Sequence, residues 1–180
     1  YAECVIKRGC TEPATGDYCN LGKPDRQLHP VNCVDWYQAQ AYTKFKGARL
    51  PSEAEFEYAA TSGGKNQKYP WGNQEPTSEL AVFDTNSTMP VCSKPKGNTK
   101  QGLCDMSGNV WQWVQDKYQR YQGSYKGAPV NGSAFEGAGS DRVFRGGSFL
   151  FVDASHLRAD LRNYGGPGNR SRVLGFRLVR

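Results

Sequence analysis

The chain has 180 residues, 37% of them hydrophobic, with 21 glycines and 10 prolines, enough to bury one core and to be rich in turns. No stretch approaches the length of a membrane-spanning helix and no apolar leader opens the chain, so insertion into a membrane by this chain is not expected. The net charge of +6 is unevenly placed. From Arg142 onward there are 8 arginines, no lysine, and only Asp153 and Asp160; the preceding residues then hold 15 of the 23 basic and 15 of the 17 acidic side chains. A basic patch attracts nucleic acid, anionic glycans or an acidic protein surface. The competing reading is internal, with arginines bonding loop carbonyls and carboxylates. Basic and aromatic residues are not interleaved as in nucleic-acid modules, so nucleic acid is not an expected partner.

In chain order, the first features are cysteines. Cys4, Cys10, Cys19 and Cys33 precede Cys92 and Cys104. There is no CxxC, and His29 and His156 are too few and too isolated for a zinc site. An even number of cysteines in loop-like surroundings favours disulfides and an extracytoplasmic location, secreted or surface-displayed. Cys92–Cys104 is the local pair. Among the other four, Cys4–Cys10 with Cys19–Cys33 is the first choice of three pairings. Asp35 can cap a helix over WYQAQAYTKFKG that stops at Gly47. Ser52 and Glu55 form a capping box for a second helix, with Glu53, Glu55 and Glu57 favourably placed in its first turns and a stop at Gly63. After Gly64 turn residues dominate, and the short apolar runs VWQWV, RVFRGG and LGFRLV read as brief strands between long ordered loops. Two early helices and a small late sheet make the fold class α+β.

Five segments, HPVNCVDWYQAQAYTKFKGARLPSEAEFEYAA, YPWGN, GLCDMSGNVWQWVQD, RVFRGGS and LGFRLV, resemble in order the formylglycine-generating-enzyme (sulfatase-modifying-factor) family. The resemblance covers residues 1–180. It implies a single C-type-lectin-like domain, with two helices, small twisted antiparallel sheets and many ordered loops. Family domains carry a further strand region ahead of the point that matches Tyr1. The founding activity of the family uses two copper-binding cysteines between its RGGS and GFR motifs. That interval has no cysteine here, and thiolate is what a soft copper site needs, so no copper, no required cofactor and no enzyme activity are expected. A second branch uses a His-rich motif in another domain, and His29, ahead of Pro30, reads as structural.

CDMSGNVWQ resembles a family calcium loop, which implies ligands at Asp105, the Gly108 and Val110 carbonyls, and Gln112. The family usually has Glu at the last position, and losing that carboxylate weakens a hard-cation site. Calcium is left open.

The stretch from Arg145 to Val179 also resembles the variable region of retroelement-diversified proteins of bacteria and phage, which share this lectin-like fold. That resemblance implies a framed segment, 145–179, carrying a variable ligand-binding face of Leu150, Phe151, His156, Leu161, Tyr164, Gly165, Gly166, Ser171, Arg172 and Val173. Phe, Leu and Tyr beside Arg are the residue types of interface hot spots. The expected function is recognition of a protein or glycan on another cell or host surface. Phe149 is expected in the core, and Tyr164 to Val173 exposed. The alternative is a non-diversified member of the family with an enzymatic or small-ligand role.

Overall fold

A computed structural model of the chain describes residues 1–119 and 127–180. Its helices are α1 (Ala2–Ile6), α2 (Trp36–Phe45) and α3 (Glu53–Ala60), with short 3-10 turns at Pro24–Arg26, Pro95–Gly97 and Ala154–Leu157. Both expected caps form. Asp35 accepts from the Gln38 amide while the Gln38 side chain takes the Asp35 amide, and Ser52 and Glu55 do the same for α3. Helix α1 was not expected. Its five residues are too few to be stable alone, and the Cys4–Cys10 disulfide closes it.

The strands are β1 (Trp111–Tyr118), β2 (Asp141–Arg145), β3 (Arg162–Gly165) and β4 (Leu174–Phe176), in the sheet order β3-β2-β1-β4. Strands β1 and β2 pair antiparallel with an irregularity between Trp113 and Lys117, and β2 pairs antiparallel with β3. Strand β4 lies parallel to β1, so the sheet is mixed rather than wholly antiparallel. Three strands lie at the runs that the sequence marks. Strand β3 does not: RNYG has no apolar alternation and exists because it pairs with β2.

The core joins these elements. Trp36, Leu50, Trp111, Trp113, Phe144 and Leu174 form one buried cluster, and Phe56, Met106, Val114 and Val143 a second. The indole N–H of Trp36 donates to the Val114 carbonyl at 2.9 Å and that of Trp113 to the Val34 carbonyl at 3.1 Å, tying the start of α2 to β1. Asp116 accepts the Glu53 amide at 2.7 Å, which fixes the N-terminus of α3 on the same strand. Trp71 is only half-buried, stacked on Tyr69 with ring centroids 5.1 Å apart. All six cysteines are paired, as Cys4–Cys10, Cys19–Cys33 and Cys92–Cys104. Disulfides of this kind are those of an oxidising compartment.

Candidate ligand-binding face

Arg145 ends β2, and the next two residues, Gly146 and Gly147, have φ of 94° and 71°. A side chain at Gly147 would begin 2.5 Å from the His156 carbonyl oxygen, so the turn needs glycine for space as well as conformation. Beyond it, the segment is hung by its main chain on groups outside it. The amides of Asp84, Thr85, Cys33, Trp36 and Trp111 donate to the carbonyls of Phe151, Phe149, Ser171, Pro167 and Val173, at 2.7–3.0 Å. Asn32 Nδ2 reaches the Arg172 carbonyl at 2.7 Å and Ser107 Oγ the Leu157 carbonyl at 2.7 Å. The Arg145 guanidinium, fully buried, donates to the carbonyls of Ala159 (2.7 Å) and Leu161.

The concentrated positive charge is largely answered inside the molecule. Arg145 and Arg162 share Glu53 and Glu57 at 2.6–3.1 Å. Arg158 pairs with Asp160 at 2.7 Å, and this hydrogen bond holds the Asp160 carboxyl below the usual carboxylate range. Arg170 pairs with the α2 cap Asp35 at 2.9 Å. Arg142 lies 4.0 Å over the Trp36 ring and bonds Glu136, and Arg172 lies 4.3 Å over Tyr18. The carboxylate-and-carbonyl reading of these arginines therefore accounts for most of them, and no bare cationic stripe remains.

A cleft of about 380 Å³ opens on this face. Its apolar part is Trp111, Phe144, Phe151, Val173 and Leu174; Asn163, Asn169, Arg170 and Ser171 supply polar groups. The Trp111 ring meets Phe144 and Phe151 edge to face at 5.3 and 5.8 Å. Of the ten expected contact residues, Phe151, Ser171 and Val173 line this cleft. Leu161 packs against the same core cluster. His156 stacks on Phe151 at 4.1 Å, and its Nδ1 is buried without a hydrogen-bond partner. Leu150 is exposed beside the cleft-lining Phe151. Tyr164 stacks on Tyr118 at 3.8 Å rather than standing clear of the surface. Gly165 is buried and Gly166 half-buried against Asn169, and Arg172 points to Tyr18.

The expected exposure of Tyr164 to Val173 is thus corrected. Only residues 168–170 of that run are exposed, because β3 pairing and the bonds to Trp36, Cys33 and Trp111 draw the rest onto the frame. Phe149 is in the core, as its position after RGGS implies. Trp111, Phe144 and Leu174 were missed as cleft residues because burial and framework position are all that their sequence context signals. Asn163, Asn169 and Arg170 lie inside the framed segment, and that placement was the available clue.

The calcium loop contains a cation of another kind. Arg177 Nη2 donates to the Cys104 and Asp105 carbonyls at 2.9 and 3.2 Å, and Nε donates to Gln112 Oε1. Gln112 Nε2 in turn donates to the Asp105 carbonyl at 2.7 Å, and Asp105 Oδ2 accepts the Cys92 amide at 2.9 Å. Burial pushes the Arg177 guanidinium down to about 10, opposed in part by Asp105. Amide and guanidinium donors directed at Asp105 and Gln112 do not fit a divalent cation. The framed segment likewise offers one imidazole and no thiol. Among the described residues no three His, Cys, Asp or Glu side chains gather as metal ligands. This donor set does not fit copper.

Comparison with known proteins places these features. The chain is 37% identical over 168 residues to a hercynine oxygenase of Mycolicibacterium thermoresistibile, covering 83% of this chain and 35% of that protein. It is 36% identical over 176 residues to a formylglycine-generating enzyme of Streptomyces coelicolor, covering 88% and 54%. The chain therefore spans about a third to a half of these relatives. PvdO of Pseudomonas aeruginosa superposes with a TM-score of 0.78 at 28% identity, covering 98% of this chain and 74% of that one. Treponema denticola variable protein 1 superposes with a TM-score of 0.65 at 24% identity, covering 93% and 74%, a likeness of fold. The fold is C-type-lectin-like, of the formylglycine-generating-enzyme kind. The expectation that the chain is no enzyme is overturned, since relatives this similar are named as enzymes and the family is an enzymatic one. Missing copper cysteines spoke only to one chemistry within it. The sulfatase-modifying factor enzyme 1-like model matches residues 1–180, and the chain belongs to that family.

Proposed function

We propose that residues 145–179 form a ligand-recognition face centred on the cleft between Trp111, Phe151, Val173 and Arg170. One observation carries the reading: an aromatic recess walled by Trp111, Phe144 and, from the framed segment, Phe151 converges with that segment's rim of Asn, Ser and Arg on a volume of about 380 Å³. That volume suits one ring-sized group, with apolar walls for affinity and a few polar groups for orientation. The ligand is a protein side chain or sugar presented on a surface outside the cell, where three disulfides persist. The polar atoms of Asn163, Asn169, Arg170 and Ser171 then select the ligand, and the segment around them is where a different ligand is specified.

The test uses a glycan array and a displayed peptide library as probes. Binders selected on the wild-type chain are measured against Val173→Trp and Ser171→Trp, with thermal melting as the fold control. Filling the cleft weakens them by about tenfold or more, that is, at least about 1.4 kcal/mol. Binders that keep their affinity for both folded variants refute the proposal. A second reading is favoured by the enzymatic names of the relatives: the same cleft seats the substrate of a reaction. Recovery of a cleft-bound compound with altered mass after incubation selects that reading.

A further inference from the structure

A second cavity, of about 650 Å³, shares no lining residue with the cleft. The loop from Asn20 to Val31 forms one side, and Tyr42, Val91 and residues 176–178 contribute the rest together with the first two residues. The functional reading above makes no use of it.

Its chemistry is one-sided. Lys23, Arg26 and Arg177 are lining residues, and no aspartate or glutamate is among them. The Arg26 side chain is only 19% exposed, and its carboxylate contact among the described residues, to the exposed Asp25, is 3.8 Å long. Arg26 is therefore a partly desolvated cation with weak compensation. Arg26 Nη1 donates to Asn20 Oδ1 at 3.0 Å, while Asn20 Nδ2 donates to the Pro30 carbonyl at 2.8 Å and to Thr88 Oγ1 at 3.0 Å. Thr88 Oγ1 also lies 2.8 Å from His29 Nδ1. When the Thr88 hydroxyl donates its proton to His29 Nδ1, the imidazole proton sits on Nε2 and the ring is an N–H donor. Burial first, and Arg26 second, hold His29 below its ordinary value, with Asp25 opposing, which favours the neutral ring. Tyr42 and Phe176, which also line the cavity, meet edge to face at 5.4 Å and form an aromatic wall.

We propose that this cavity binds a small organic anion carrying an aromatic ring, its charged group held by Arg26, Lys23 and His29 and its ring against Tyr42, Phe176 and Val91. Cationic donors with no lining carboxylate select an anion, and hydrogen bonds to charged groups are the stronger kind. The aromatic wall selects a flat apolar body. The volume accommodates a one- or two-ring compound.

The probes are naphthalene-2-carboxylate and its neutral carboxamide, titrated into the whole chain by calorimetry. The carboxylate binds about tenfold or more tightly than the amide, and added salt weakens it. Arg26→Met reduces carboxylate binding by about tenfold and brings it near that of the amide. Val91→Trp, at a half-exposed position that does not threaten the fold, blocks both probes. Val173→Trp, which fills the other cleft, leaves both unchanged, and this separates the two sites. Absence of carboxylate binding, equal binding of the two probes, or full carboxylate binding in folded Val91→Trp each overturns the proposal.

Discussion

Arg145→Met probes the frame most directly. The wild-type side chain is fully buried, lies 3.0 Å from Glu53 and 2.7 Å from Glu57, and donates to the carbonyls of Ala159 and Leu161. Removing one partner of a buried ion pair costs about 3–5 kcal/mol, because the other charge is left in place. Here Arg162 still contacts Glu53 at 2.6 Å and Glu57 at 3.1 Å, which argues for the lower end, about 3 kcal/mol. For a domain of this size that is a fall in melting temperature of roughly 6–12 °C. Circular dichroism melts at pH 7 measure it. Glu53→Gln, alone and combined with Arg145→Met, completes a double-mutant cycle, and the double mutant should cost about 1–3 kcal/mol less than the sum of the singles. Arg145→Lys should not restore stability, since an ammonium cannot reach two carboxylates and two carbonyls in the guanidinium's planar arrangement. A melt of Arg145→Met within about 2 °C of wild type would refute the argument that this cluster holds the segment on α3.

Two further outcomes follow from charged groups. Glu55 is held below the ordinary carboxylate range first by its hydrogen bonds from Arg49, with the Ser52 amide adding to this and burial opposing it. A lowered carboxyl stabilises the fold above its unfolded value and loses that contribution as pH falls through the folded one, so wild type should lose more stability than Glu55→Gln between pH 7 and pH 3. The difference is small, about 0.5 kcal/mol, because the Arg49 pair is half-exposed; equal acid losses in denaturant titrations at the two pH values would contradict it. With Arg177 bonded to Gln112 and the Asp105 carbonyl, millimolar calcium and a chelator should give melts within about 1 °C of each other, and a clear calcium-dependent rise would restore the calcium loop.

Local chemistry was readable in the sequence where one short segment determines the outcome. Asp35 and Ser52 cap helices because their partners lie three residues away. Cys4 and Cys10, or Cys92 and Cys104, are near enough in sequence for proximity to choose the pair. Strand β3 was hidden because RNYG becomes a strand only through Val143 and Phe144 across from it. The candidate site shows the same division. Phe151, Ser171 and Val173 were found within the framed segment. Trp111 was not, since nothing local distinguishes a tryptophan that only fills the core from one whose edge also walls a cleft. Exposure of Tyr164 was misjudged for a similar reason: Tyr118, the ring it stacks on, is 46 residues away in the chain. The arginines were legible as a group but not individually, because partners such as Glu53, Glu57 and Asp35 lie far away in the chain.

Many of the bonds that hang residues 149–173 on the frame end on main-chain carbonyls. Every amino acid supplies a carbonyl, so these attachments survive a change of side chain. Substitution of outward residues whose side chains make no such contacts should therefore cost little foldability. A library randomised at Leu150 and Ser171 should contain mostly folded members, because neither side chain belongs to a core cluster.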